Sequence, residues 1–110
     1  VGVLAGRVKA TAKAADKVFD DYNQARNAAL EWLGARGFTA EAKNIGRLGS
    51  TRGKATGMRT ADNKSGFRVE FDARNGAHIN VWSGKEKGPH FQFKGSEEIV
   101  NKITKRFEER

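Results

Sequence analysis

Residues 66–95 read GFRVEFDARNGAHINVWSGKEKGPHFQFKG and hold both histidines, one of the two tryptophans and the only proline of the 110-residue chain. Apolar and polar side chains alternate here in three runs. Phe67, Val69 and Phe71 interleave with Arg68, Glu70 and Asp72; Ile79 and Val81 with His78, Asn80 and Trp82; Phe91 and Phe93 with His90, Gln92 and Lys94. A period of two is that of a half-buried strand, whose successive side chains point to opposite faces. The runs therefore predict a sheet with one apolar face and one face of acids, histidines and cations. Chemistry is expected on the second face.

The turn signal Arg74-Asn75-Gly76 predicts a three-residue loop with Gly76 in the left-handed region, because keeping apolar residues opposite apolar ones needs an odd loop length. That register sets Phe71 against Ile79 and Val69 against Val81, then Val81 against Phe91 and Ile79 against Phe93. The polar face would carry the rows Arg68-Trp82-His90, Glu70-Asn80-Gln92 and Asp72-His78-Lys94. A slip by two residues would change these partners and leave the faces intact.

Upstream, residues 3–36 lack proline and place Leu4, Val8, Ala12, Ala15, Phe19, Tyr22, Ala29, Trp32 and Leu33 at helical spacing. Two helices, or one broken near Asp20-Asp21 with an aspartate cap, are expected, ending at Gly37. Trp32 is read as core. Residues 1–19 are either linker or frayed helix, and the Val-Gly start fits a domain cut from a longer protein. Residues 38–52, with Gly46 and Gly49, read as a connector ahead of the alternative, a Gly-rich loop whose Lys43, Arg47, Ser50, Thr51 and Arg52 face phosphate without P-loop spacing. Residues 54–60 read as a further strand. After Gly95, Ser96 is a good N-cap, Glu97 and Glu98 suit the positive end of a helix, and Ile99, Val100, Ile103 and Phe107 form one apolar stripe. The expected fold is α+β in one domain, residues 1–110: N-terminal helices and a C-terminal helix on one face of a twisted antiparallel sheet of about four strands.

The absence of cysteine excludes disulfides and thiolate chemistry. No apolar run approaches the ~18 residues of a membrane span, so no membrane partner is expected. Net charge is +8 and the sequence pI about 10.1, in the range of nucleic-acid binders. Residues 51–95 hold nine Lys/Arg against four acids, residues 1–50 eight against five, and residues 96–110 four against four. The excess travels with the sheet, among exposed aromatic and histidine side chains, which favours a polyanion.

RNA cleavage by a ribose 2′-hydroxyl needs a base, an acid for the leaving 5′-oxygen, and cations for the charge growing on phosphorus. Histidine suits either proton transfer. In the expected register His78 lies between Asp72, which would orient it, and Lys94, which would meet phosphate with Arg68. His90, the second proton-transfer group, lies beside Arg68 and beside Trp82, a stacking surface for a base. Lys54, Arg59, Lys85 and Lys87 would hold flanking backbone. No bound cofactor is needed. Asp72, Glu70 and His78 could instead hold a divalent metal, although no H-E-x-x-H or comparable spacing is present. The same face would also serve a noncatalytic RNA-binding module or a basic protein-interaction domain.

The 66–95 stretch followed by EEIVNKITKRF closely resembles the C-terminal toxin domains of bacterial polymorphic toxins, of the Rhs, wall-associated and contact-dependent inhibition type. The resemblance covers roughly residues 20–107, including NQARNAALEWLGARGF and KNIGRLGSTRGKATGMRTAD, and is specific at AHINVW and KGPHF. It implies the barnase/EndoU/colicin/RelE-like group of metal-independent ribonucleases, several of which cut tRNA. It further implies a secreted or cell-surface effector acting in the target cell cytoplasm, a tightly bound cognate immunity protein, and for some relatives a need for elongation factor Tu. Active-site residues vary widely within that group.

Overall fold

The computed structural model describes residues 17–47 and 49–109. Most of the first expected helix, with Leu4, Val8, Ala12 and Ala15, and most of the linker of residues 1–19 lie outside them. The chain enters as strand β1 (Val18–Phe19), then helix α1 (Tyr22–Gly34). Phe19 is thus extended, where its spacing predicts helix. Asp21 caps α1, its side chain accepting from the Gln24 N–H. Ala25, Ala29, Trp32 and Leu33 recur on one face and are buried, and Gly37 takes φ +77° just past the end, where a side chain would be strained.

Six strands follow: β2 (Ala42–Ile45), β3 (Ala55–Arg59), β4 (Ser65–Asp72), β5 (Gly76–Ser83), β6 (Glu86–Lys87) and β7 (Phe91–Phe93). They form one sheet in the order β1-β7-β5-β4-β3-β2, with β6 paired to β5. The expected sheet of about four antiparallel strands is corrected to seven strands among the described residues, and it is mixed, because β1 runs parallel to β7. β2 falls within the expected connector. Its composition gives no periodic signal, but its backbone satisfies the outer edge of β3, with Lys43 opposite Met58, a tertiary pairing that overrides local propensity.

The register differs from expectation by two residues in both hairpins. Val69 pairs with Ile79, Glu70 with His78, Arg68 with Asn80, and Asp72 with Gly76. Asp72 causes this, since its Oδ1 accepts from the N–H groups of Arg74 at 2.9 Å and Asn75 at 2.6 Å, closing the turn over residues 73–75 rather than 74–76. Gly76 is left-handed as expected, at φ +68°. On the other side β6 folds back on β5 through Gly84-Lys85, and the chain resumes with Phe91 opposite Ile79. Face assignments survive the slip.

Helix α2 (Glu97–Glu108) begins at Ser96, whose side chain accepts from the Ile99 N–H. It buries Val100, Ile103, Thr104 and Phe107, while Ile99 at the stripe's edge stays exposed. Both helices cover the apolar face, enclosing Phe67, Val69, Ile79, Val81, Phe91 and Phe93. Each such large side chain contributes about 1.5–3 kcal/mol on burial. Phe67 meets Phe38 and Phe107 edge-on at 6.2 and 5.9 Å between centroids. No helix of the described residues is long and apolar enough to cross a membrane. The opposite, polar face carries the site.

Candidate active site

Alternation along β4 and β5 sends Arg68, Glu70 and Asp72, with His78, Asn80 and Trp82, to the polar face. The observed register gathers them around Glu70. This carboxylate accepts from Arg68 Nε at 3.0 Å and from Asn80 Nδ2, and its Oε1 lies 3.7 Å from His78 Nε2. Its residue is only 5 % exposed. Burial works to raise its pKa, but His78 and Arg68 outweigh burial and hold it below the ordinary range. Glu70 therefore stays charged at neutral pH.

His78 is 2 % exposed. Its Nδ1 lies 2.9 Å from the Gly76 carbonyl oxygen, which can only accept, so Nδ1 carries a proton. Nε2 faces Glu70 and, at 3.9 Å, Asp72 Oδ2. Burial disfavours its charge, yet Glu70, the Gly76 carbonyl and Asp72 prevail and raise its pKa. Asp72 belongs first to the turn: the Asn75 backbone N–H does most to lower its pKa.

His90 follows Pro89 just before β7 and is exposed. Its ring stacks on His78, centroids 5.2 Å apart and planes 21° from parallel. Burial and then the His78 charge lower its pKa below the usual histidine value. The two histidines are driven apart in protonation, the pattern that separates an acid from a base.

Beside this stack lies a cleft of about 690 Å³, lined among others by His90, Arg68, Asn80, Trp82, Lys85 and Lys87. The Arg68 guanidinium carbon lies 5.4 Å from the centre of the Trp82 ring. Trp82 Nε1 donates to the Asn63 carbonyl at 3.3 Å, and the ring packs on Gly66, where a Cβ would come within 2.6 Å of it. Glu86, the acid between the two lysines, is held bidentately by Arg36 at 2.9 and 2.8 Å. Arg36 in turn lies 3.6 Å above the Trp32 ring. This fixes the lysine-bearing turn to the end of α1.

Of the residues singled out from sequence, His90, Arg68, Trp82, Lys85 and Lys87 meet at the cleft. His78 lies beneath His90 rather than between Asp72 and Lys94. Lys94 lies just past β7, its N–H donating to the Phe19 carbonyl of β1 and its amine 3.5 Å from Asp20, because the two-residue slip sets Gln92, not Lys94, opposite His78. Lys54 lies with Thr104 and Glu108 of α2 in a separate hollow of about 510 Å³. Arg59 donates to the carbonyls of Thr60 and Ala61. Sequence reasoning set Glu70 beside Asn80, as observed, but missed Glu70 as the hub that also faces His78; Arg47, read there within the connector, lies on the cleft wall. Alternation puts Glu70 and Asn80 on the correct face, but only the register joins Glu70 to His78. Among the described residues no three His, Cys, Asp or Glu side chains are grouped to hold a metal ion.

The arrangement offers a surface imidazole biased toward its neutral form, a cation fixed by a carboxylate, an indole wall and two lysines. Comparison with protein-family models and with curated proteins returns no match.

Proposed function

We propose that this chain is an endoribonuclease toxin domain that cuts RNA, tRNA in particular, by attack of a ribose 2′-hydroxyl on the adjacent phosphate without a bound cofactor. The observation that carries the reading is His90 at a basic, aromatic-walled cleft, held toward neutrality by desolvation of its ring and then by the histidine beneath it. His90 takes the 2′-hydroxyl proton as the O2′–P bond forms. Arg68 meets the charge developing on the phosphate oxygens. The P–O5′ bond breaks, O5′ leaves with a proton from solvent, and the product ends in a 2′,3′-cyclic phosphate. Trp82 stacks a neighbouring base, and Lys85 and Lys87 hold flanking phosphates. In this proposal the fold falls in the barnase/EndoU/colicin/RelE-like group. The domain acts in the cytoplasm of a competing bacterium, delivered by a secreted or cell-surface effector and neutralised in its producer by a cognate immunity protein; elongation factor Tu is a candidate activator.

Total bacterial RNA incubated with the protein in EDTA, with and without cell extract, tests the reading. Discrete tRNA fragments with cyclic phosphate ends support it. Intact RNA under both conditions, from folded protein, overturns it. A noncatalytic RNA-binding module is the second reading, favoured by the burial of His78, which leaves His90 as the histidine at the cleft. Binding without product would establish it.

A further inference from the structure

His78 is too buried to touch RNA, and its surroundings are those of a charge rather than of a spare core side chain. Nδ1 donates to the Gly76 carbonyl. The remaining nitrogen faces carboxylate oxygens of Glu70 and Asp72 at 3.7 and 3.9 Å. A lone pair there would be repelled by both, whereas an N–H is attracted by both. The ring plane is covered by His90.

We infer that His78 is the positioning residue of the cleft, a buried imidazolium held by Glu70, Asp72 and the Gly76 carbonyl, whose charge keeps the stacked His90 in its neutral, proton-accepting form. The groups acting on His90 come from two strands. Desolvation of the ring disfavours a proton on it most, followed by the charges of His78 on β5 and Arg68 on β4, while Glu70 and Asp72 on β4 favour one. The carboxylates are partly spent, Glu70 on Arg68 and Asn80, Asp72 on the turn amides. His78 is the cation in ring-to-ring contact. The roles cannot be reversed, because His90 is exposed and lines the cleft while His78 is sealed from it. One buried proton, adding to the desolvation of the ring, thus helps the surface histidine work as a base at a pH where an isolated imidazole would already be largely protonated.

The role given to His90 rests on the ribonuclease reading, but the coupling between the rings does not, so the decisive readout is NMR titration of the histidine rings in the intact chain. In the unaltered protein at pH 7, the His78 ring nitrogens should show the imidazolium signature and those of His90 the neutral one. A neutral His78 at that pH overturns the inference. In His78→Gln the midpoint of His90 should move upward, since a cation is removed and two carboxylates are left less neutralised; an unchanged or lowered midpoint overturns it. If His78→Gln does not fold, the signature of the unaltered protein still decides. Where RNA is cut, the variant should lose roughly threefold or more of its rate at mildly acidic pH, as expected for removing a unit charge this close, and far less on the high-pH plateau. An equal loss at every pH marks a merely structural role. Absence of cleavage with the titration shift present removes the ribonuclease reading and keeps the coupling.

Discussion

Arg68 and Glu70, two residues apart on the same strand, point to the same face and join through Nε and Oε2 at 3.0 Å. The contact ties a cleft cation to a buried carboxylate that also holds Asn80 and faces His78. Replacing Glu70 by Gln leaves the buried imidazolium with Asp72 as its nearby carboxylate among the described residues. The expected loss is about 3 kcal/mol of folding stability, read from the urea midpoint at pH 7. A loss within ~0.5 kcal/mol, the scale of an ordinary surface change, would mean that Glu70 is not the hub.

Stability against pH carries opposed signs from the two histidines. His78 has a raised folded pKa, so its contribution is fully present below the unfolded value of ~6.5 and is lost as pH rises through the folded pKa. His90 has a lowered folded pKa, so stability rises with pH between that pKa and ~6.5. Glu70 and Asp72, both lowered, add stability that is lost as pH falls through their folded values. In His90→Gln the His78 contribution stands alone, and urea midpoints should decline from mildly acidic to alkaline pH. A midpoint that climbs over that range would contradict the assignment.

Substitutions in the cleft should separate from those placed elsewhere by the fold. Lys85→Ala and Lys87→Ala should each weaken RNA binding and reduce the salt slope by about 1. Lys54→Ala and Lys94→Ala, positioned beside α2 and Asp20, should leave binding and slope unchanged. Titration of a fluorescent RNA at several salt concentrations checks this. Equal effects from all four would return the site to the arrangement expected from sequence alone.

Catalysis should depend on His90 more than on any other cleft side chain. His90→Gln is expected to lower cleavage by roughly 10²–10⁴-fold with folding retained, because the ring is exposed. Trp82→Ala should act mainly on binding. A fully active His90→Gln would remove His90 from proton transfer.

Gly66 lies under the Trp82 ring and close to Met58 O, 2.8 Å from where a Cβ would sit. Gly66→Ala should cost about 1–3 kcal/mol by overpacking and shift the indole, seen as a change in Trp fluorescence and in RNA affinity together. Loss of stability without either change would place the strain on β3 instead.

Much of this protein is legible in its local chemistry. The caps Asp21 and Ser96, the left-handed Gly76, the core position of Trp32 and the two faces of the hairpin all follow from residues a few positions apart. Glu70 marks the limit of that legibility. Its face is fixed by alternation, because a two-residue slip preserves faces, but its partner is not. Asp72 closing the turn and β6 doubling back make that choice, bringing Glu70 to His78 and sending Lys94 past the site to Asp20. The parallel β1–β7 pair, the β2 edge, and the burial of His78 beneath His90 join segments far apart in the chain. Pattern within a segment determines which way a side chain points; only the packing of distant segments decides what it meets and whether water reaches it.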